Sequence, residues 1–298
     1  MQITEIDLGK YSNRFSSYTE LRLHENRSQS IVLLNGDVIS NARDTTGGVS
    51  ARVFNDGTWG FSSNPDMSND AIDGTISAAT RNAEFLARRC GDEKATLPSA
   101  KAHADSDFST KKTLKTQEEK IAFLTEIDNY IVSSFPDIVS RQVVLSCLDM
   151  EKKLQTSEGS NGHNVTTRSL IAVKLTTENA NKEPVELSEA IGARGQYEDV
   201  FESMEAIIPA LEKLYAQLLD KKEAVQPISG YHDVILASDL AGILAHEAIG
   251  HTTEADIVRA GSVAADYLDK KVASDLITLV DFANTFEGET LPVPIYLD

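Results

Sequence analysis

The side chains with the clearest chemical potential stand in Ala245-His246-Glu247-Ala248-Ile249-Gly250-His251. Imidazoles ligate zinc, and a carboxylate next to them can take a proton from a water that the metal activates. In the usual H-E-x-x-H pattern the histidines are four apart and share a helix face. Here they are five apart, which on a regular helix separates them by about 140°. Both reach one metal only where the helix is locally widened, as in a π-bulge, or where it ends between them. Gly250 is where the backbone departs most easily from regular geometry, so the spacing predicts an irregular turn at 249–251. Thr252-Thr253-Glu254-Ala255-Asp256 adds two carboxylates, either as further ligands or as partners that fix a histidine tautomer. The plainer alternatives are histidines packed on an apolar helix and a solvated helix exit.

The elements that must hold this motif are legible around it. Tyr231 to Leu236 is rich in β-formers and reads as a strand. Ser238 then reads as the N-cap of a helix carrying Leu240, Ile243, Leu244 and Ile249. A strand feeding a helix is a rigid mounting for a site.

With 298 residues and 41% apolar content, the chain can fill more than one core. Acids outnumber bases 46 to 28, for a net charge of -18, which argues against nucleic acid as a partner because phosphate contacts need Lys and Arg. No run of eighteen apolar residues occurs and no basic-then-apolar leader opens the chain, so a membrane is not expected and the expected setting is cytoplasmic. Cys90 and Cys147 are too few for a disulfide framework and read as buried or incidental thiols.

Upstream, Thr19–Glu25 and Ser30–Leu34 read as strands, Asn35-Gly36 as a hairpin turn and Asp37–Arg43 as its return. Val49–Phe54 and Thr58–Phe61 complete a meander of four or five strands, with His24 on a polar side and Trp59 in the core. Ser68 caps a helix from Asn69 to about Arg89, with Ala71, Ile72, Thr75, Ala79, Ala83 and Leu86 as its apolar stripe. Residues 91–112 read as a linker. Thr116-Gln117-Glu118-Glu119 is a capping box for a helix to Ser134. Val139–Cys147, Met150–Thr156 and Leu170–Thr177 read as strands, with His163 and Arg168 in solvated loop, and Tyr197 to about Leu219 as a helix followed by a linker at Val225–Gly230. The expected domains are 1–98, a sheet with a covering helix; 112–224, a middle α/β segment; and 228–298, the start of a further domain. Pro292–Asp298 opens an extended segment and stops, so the sequence is expected to be part of a longer chain.

Taken together, Arg27-Ser28-Gln29-Ser30 with Asn35-Gly36, Asp56-Gly57-Thr58-Trp59-Gly60-Phe61, Thr156-Ser157-Glu158-Gly159, and Leu240-Ala241-Gly242 leading to His246–His251 and Glu254-Ala255-Asp256 resemble the TldD/PmbA metallopeptidase family, once named modulators of DNA gyrase. Gly261-Ser262-Val263 and Lys271-Val272-Ala273-Ser274 continue the resemblance, which covers nearly the whole chain. The H-E-x-x-x-H motif places it on the TldD side, since the PmbA side lacks that motif. The resemblance implies an α+β fold: antiparallel sheets with covering helices, an N-terminal α/β part and then the start of a β-rich metallopeptidase domain. It implies a Zn2+-dependent peptidase acting on short or unfolded peptides, with His246 and His251 as metal ligands and Glu247 as general base. It also implies a homodimer, or a heterodimer with a PmbA-like subunit, enclosing a chamber. The family's third ligand is a late cysteine, which neither Cys90 nor Cys147 matches, so it is expected beyond residue 298. The competing functions are a non-catalytic peptide-binding or scaffold subunit, in which the histidines merely pack, and direct action on gyrase or DNA, which the net charge disfavours.

Overall fold

The apolar residues of the first long strand fall in two groups, Leu21 with Leu23 and Ile31 with Leu33, separated by the polar run from Glu25 to Gln29. All of these odd-numbered residues lie on one face of a strand with period two, and that spacing organises the sheet. A computed structural model describes residues 3–91, 96–97, 101–291 and 294. Besides a short hairpin pairing Thr285–Phe286 with Glu289–Thr290, its strands are β1 (Tyr18–Leu34), β2 (Asp37–Asn55), β3 (Thr58–Asn64), β4 (His103–Asp107), β5 (Ser140–Thr156), β6 (Asn161–Glu178) and β7 (Pro184–Arg194). β1 to β7 form one sheet in the order β3-β2-β1-β5-β6; β4 lies parallel to the first part of β6 and β7 antiparallel to its second part. The fold is α+β, with an antiparallel sheet covered by helices.

Two apolar clusters sit on the sheet. One joins Leu21, Leu23, Val49, Ala51 and Val53 to Ile72, Ile76, Ala79 and Ala83 of helix α1 (Asn69–Cys90). The other joins Ile31, Leu33, Val143, Leu145, Ile171 and Val173 to helix α2 (Gln117–Ser134) and to a later helix, Ile208–Lys222, through Leu124, Ile127, Ile131, Leu211, Leu214 and Leu218. Each fully buried aliphatic side chain contributes roughly 1.5–3 kcal/mol of burial free energy. The local start signals operate as expected. Ser68 Oγ accepts from the Ala71 N–H, and at α2 Thr116 Oγ1 accepts from the Glu119 N–H while Glu119 Oε2 accepts from the Thr116 N–H. Asp128 of α2 accepts two hydrogen bonds from Arg141 at 2.7 and 3.0 Å, pinning that helix to β5.

Several expectations are corrected. The four or five short strands are three long ones, because β1 keeps unbroken register through Glu25–Gln29 with β2 on one side and β5 on the other; inter-strand hydrogen bonding carries a polar segment that the hydrophobic pattern alone divides. The two strands assigned to 139–156 are likewise one. Trp59 is 37% exposed rather than in the core; it packs edge-on to Tyr18 with ring centroids 5.9 Å apart, beneath the Arg52 guanidinium. His163 lies in β6, hydrogen-bonded to the buried Glu151 at 2.8 Å, and Arg168 is also in β6. The helix from Tyr197 is interrupted: α3 (Tyr197–Val200) and a 3-10 turn at Met204–Ala206 precede α4 (Ile208–Lys222), whose first turn accepts Pro209. The linker expected at 91–112 contains β4, while residues 92–95 and 98–100 lie outside the described residues. So does all but Pro294 of the extended segment expected at Pro292–Asp298. β7, to which the sequence reading assigns no element, alternates exposed and half-buried residues along β6.

The chain divides into two units, Met1–Ala224 with Ala283–Asp298, and Val225–Phe282. In the second unit the described residues form helices and turns and no strand. The strand expected at Tyr231–Leu236 is absent: Tyr231 and Ile235 are fully exposed and no neighbouring strand supplies hydrogen bonds, without which a lone strand is not stable. Helix α5 (Ser238–Ala245) starts one residue earlier than expected, with Ala237 as N-cap and no capping side chain. No helix among the described residues is long and apolar enough to cross a membrane.

Candidate metal centre

Helix α5 runs directly into a π-helical turn at His246–Gly250, and α6 (His251–Thr253) follows without a break. The His251 N–H donates to the His246 carbonyl, the i to i+5 bond that widens a turn by one residue. The widening brings the two histidines onto one side. Their ring centroids are 4.3 Å apart at an interplanar angle of 69°. The irregular turn is therefore present, but it begins at His246 rather than at 249. Gly250 has φ -52° and ψ -63°, ordinary helical values that any residue adopts. A Cβ there would meet nothing nearer than the Ala245 carbonyl oxygen at 3.8 Å. The departure from α geometry is spread along the turn, not concentrated in the glycine.

Glu247 lies on the same side, its Oε2 3.9 Å from His251 Nε2. One ligand atom from each of His246, Glu247 and His251 can be chosen so that all lie within 4.8 Å of one another. Donor atoms held at roughly 2.0–2.2 Å by one ion lie no more than about 4.4 Å apart, so the three groups must draw together slightly from that limit to share an ion; as a donor set they suit zinc. The residues fit the metal in donor chemistry and lie near enough to one another to be drawn onto one ion.

The alternative left open by the sequence at Glu254 has a geometric answer. Its Oε1 is 2.5 Å from His251 Nδ1, across the break between α6 and α7 (Ala255–Arg259). This bond pushes the His251 pKa above its ordinary value, and the charges of Glu254 and Glu247 act in the same direction. An ionised Glu254 carboxylate can only accept, which favours the proton on Nδ1 and leaves Nε2 facing Glu247. Asp256 points elsewhere, accepting from the Ile257 N–H. All three side chains of the centre are exposed, as are Leu240, Ile243, Leu244 and Ile249 on the same helical stretch. Beside His246 is a cavity of about 410 Å³, lined also by Thr253, Leu279, Val280 and Asp281.

Comparison with known proteins agrees with this geometry at the level of family. Residues 19–83 match the family description PmbA/TldA metallopeptidase domain 1, and residues 229–293 match the PmbA/TldA metallopeptidase C-terminal domain. A metalloprotease of Methanocaldococcus jannaschii is 28% identical over 91% of this chain and 59% of its own length. A zinc metalloprotease TldD homolog of Saccharolobus solfataricus is 26% identical over 78% of this chain and 49% of its own length. Among solved structures, a protein described as a modulator of DNA gyrase from Bacteroides thetaiotaomicron superimposes with a TM-score of 0.68 at 15% identity, covering 89% of this chain and 60% of that one; at that identity the likeness shows the fold. The chain spans about half the length of the curated relatives it matches.

Proposed function

Because the chain belongs to the TldD/PmbA family of metallopeptidases, we propose that it carries the metal-binding helix of a zinc-dependent peptidase acting on short or unfolded peptides. The observation that carries the reading is the π turn, which sets His246, Glu247 and His251 around one point in space. His246 and His251 would hold the ion through ring nitrogens, and Glu254 orients His251 through its contact with Nδ1. A zinc ion there would supply Lewis acidity toward the scissile carbonyl and the attacking water. Glu247 is the base: it would take the proton from the attacking water and pass it to the leaving amine. The cavity beside His246 gives an extended peptide room to lie along the helix.

In this reading the ligand set is completed outside the described residues, and the working assembly is a homodimer or a heterodimer with a PmbA-like subunit. Such an assembly would cover Leu240, Ile243, Leu244 and Ile249 and exclude water from the reaction. A cytoplasmic setting is in keeping with Cys90 and Cys147 being free thiols.

The test, made on the assembled protein with its ligand set complete, is zinc stoichiometry by equilibrium dialysis, together with chelator-sensitive cleavage of an unstructured peptide. Close to one zinc per chain, lost in His246→Ala and in His251→Ala, is the expected result. Less than about a tenth of an equivalent, unchanged by either substitution, would favour a non-catalytic peptide-binding subunit.

A further inference from the structure

The polar run that separates the two apolar groups of β1 has a structural counterpart. On the helix-covered face of the sheet, between the two apolar clusters, lies a cavity of about 240 Å³. Its floor is Arg27 and Gln29 of β1, Arg43 of β2, which pairs with Gln29, and Asp149 of β5, which pairs with Arg27. Lys120 of α2 and Glu198 of α3 close it from the helix side.

Among the described residues, hydrogen-bond donors in this cavity are left without acceptors. Gln29 Nε2 is buried and has no partner among the described residues. Among the described residues, Arg27 uses only Nη1, on Glu25 at 2.6 Å and Glu151 at 2.9 Å. Arg43 is exposed and makes no ion pair or side-chain hydrogen bond among the described residues. The Lys120 ammonium, on a side chain that is 10% exposed, has Gln29 Oε1 at 3.2 Å and Glu198 Oε1 at 3.6 Å, and it lies over the Tyr197 ring. On the acceptor side, Glu198 Oε1 is already taken by the Lys115 N–H, and Asp149 Oδ2 by Gln196. Burial pushes the Asp149 carboxyl above its usual range. A buried donor without an acceptor costs roughly 1–3 kcal/mol, so a cavity lined this way favours a ligand rich in acceptors.

We propose that this cavity binds the carboxylate of a small molecule such as a free amino acid or the C-terminus of a short peptide. Guanidinium forks and a primary amide are planar donors that match a planar carboxylate. Four basic side chains line the cavity against two acidic ones, and Arg27 is already partly neutralised by Glu25 and Glu151, which suits a monoanion better than a dianion. The volume lies below the roughly 300 Å³ at which pockets for drug-sized ligands begin, which limits the ligand to a few heavy atoms beyond the carboxylate. The site is built entirely within the first unit and is independent of the zinc reading.

Calorimetric titration of the chain with N-acetylglycine, its neutral amide N-acetylglycinamide and inorganic phosphate tests the assignment. The acid is expected to bind with a Kd of about 5 mM or tighter and the amide at least tenfold more weakly. Arg43→Gln, a surface change that leaves the fold intact, and Gln29→Leu, which removes the unpartnered donor, should each weaken the acid at least fivefold. Equal binding of acid and amide, or an affinity unchanged by Arg43→Gln, overturns the proposal. Phosphate binding tenfold tighter than the acid overturns it as well and makes the cavity a phosphate site.

Discussion

Across the break between α6 and α7, His251 Nδ1 and Glu254 Oε1 stand 2.5 Å apart, and the other ring nitrogen of His251 faces Glu247. Because the carboxylate raises the His251 pKa, the pair contributes to stability while the imidazole is protonated. That contribution is complete below the unfolded imidazole's value of about 6.5 and is lost as pH rises through the higher folded value. In the metal-free chain, Glu254→Gln should therefore move the His251 titration midpoint down toward about 6.5, read by NMR of the ring protons. A midpoint that does not move would remove Glu254 as the cause. A zinc ion competes with the same proton for His251, so zinc uptake by the unsubstituted chain should fall as pH drops through that midpoint.

Gly250 is the residue that the spacing singles out, yet its backbone is ordinary and its surroundings are open. Gly250→Ala should leave zinc affinity within about twofold and raise helix stability by up to roughly 1 kcal/mol, as Ala replacing Gly does in helices. A tenfold loss of zinc with the fold intact would show that the turn needs the glycine after all.

Two glycines near α1 should respond in opposite directions. A Cβ on Gly60 of β3 would lie 2.1 Å from the Ala79 carbonyl oxygen and 2.2 Å from the Ala83 nitrogen, backbone atoms that cannot yield unless α1 moves. Gly60→Ala should cost about 3 kcal/mol or more, at the upper end of overpacking effects. Gly74, on the exposed side of α1, has nothing within 4 Å of such a Cβ, so Gly74→Ala should stabilise by about 0.5–1 kcal/mol. Urea denaturation of both variants decides it; equal effects would place α1 elsewhere on the sheet.

What the sequence made legible was local. Ser68 and the Thr116–Glu119 box announce their helices because a cap is satisfied by residues three apart. The five-residue histidine spacing announces a widened turn because helix geometry leaves few other ways to bring the rings together. Non-local features were misread. The run Glu25–Gln29 looks like a gap between strands until β5 is seen to pair along its whole length. Tyr231–Leu236 has the composition of a strand but no partner among the described residues. The donor-lined cavity needed Arg27, Arg43, Lys120 and Asp149 to be brought together from four elements. Its signal in sequence was the odd-numbered polar residues of that same run, falling on the face that Leu23 and Ile31 bury.

Glu247 has two readings within the proposed peptidase, because its carboxylate lies close enough to both histidines to be counted with them as a ligand and is also placed to take a proton. The amide of glutamine keeps the shape of the side chain but has neither the charge nor the basicity. If Glu247 is the base, Glu247→Gln should retain zinc within about threefold in equilibrium dialysis, since both imidazoles remain. Peptide cleavage in the assembled enzyme should fall by at least about a hundredfold, the lower end of what general base catalysis contributes. If Glu247 is a ligand, zinc is lost together with activity, and excess zinc partly restores both. Turnover like that of the unsubstituted protein would take Glu247 out of the mechanism and leave its position 3.9 Å from His251 as a surface ion pair, of little energetic weight.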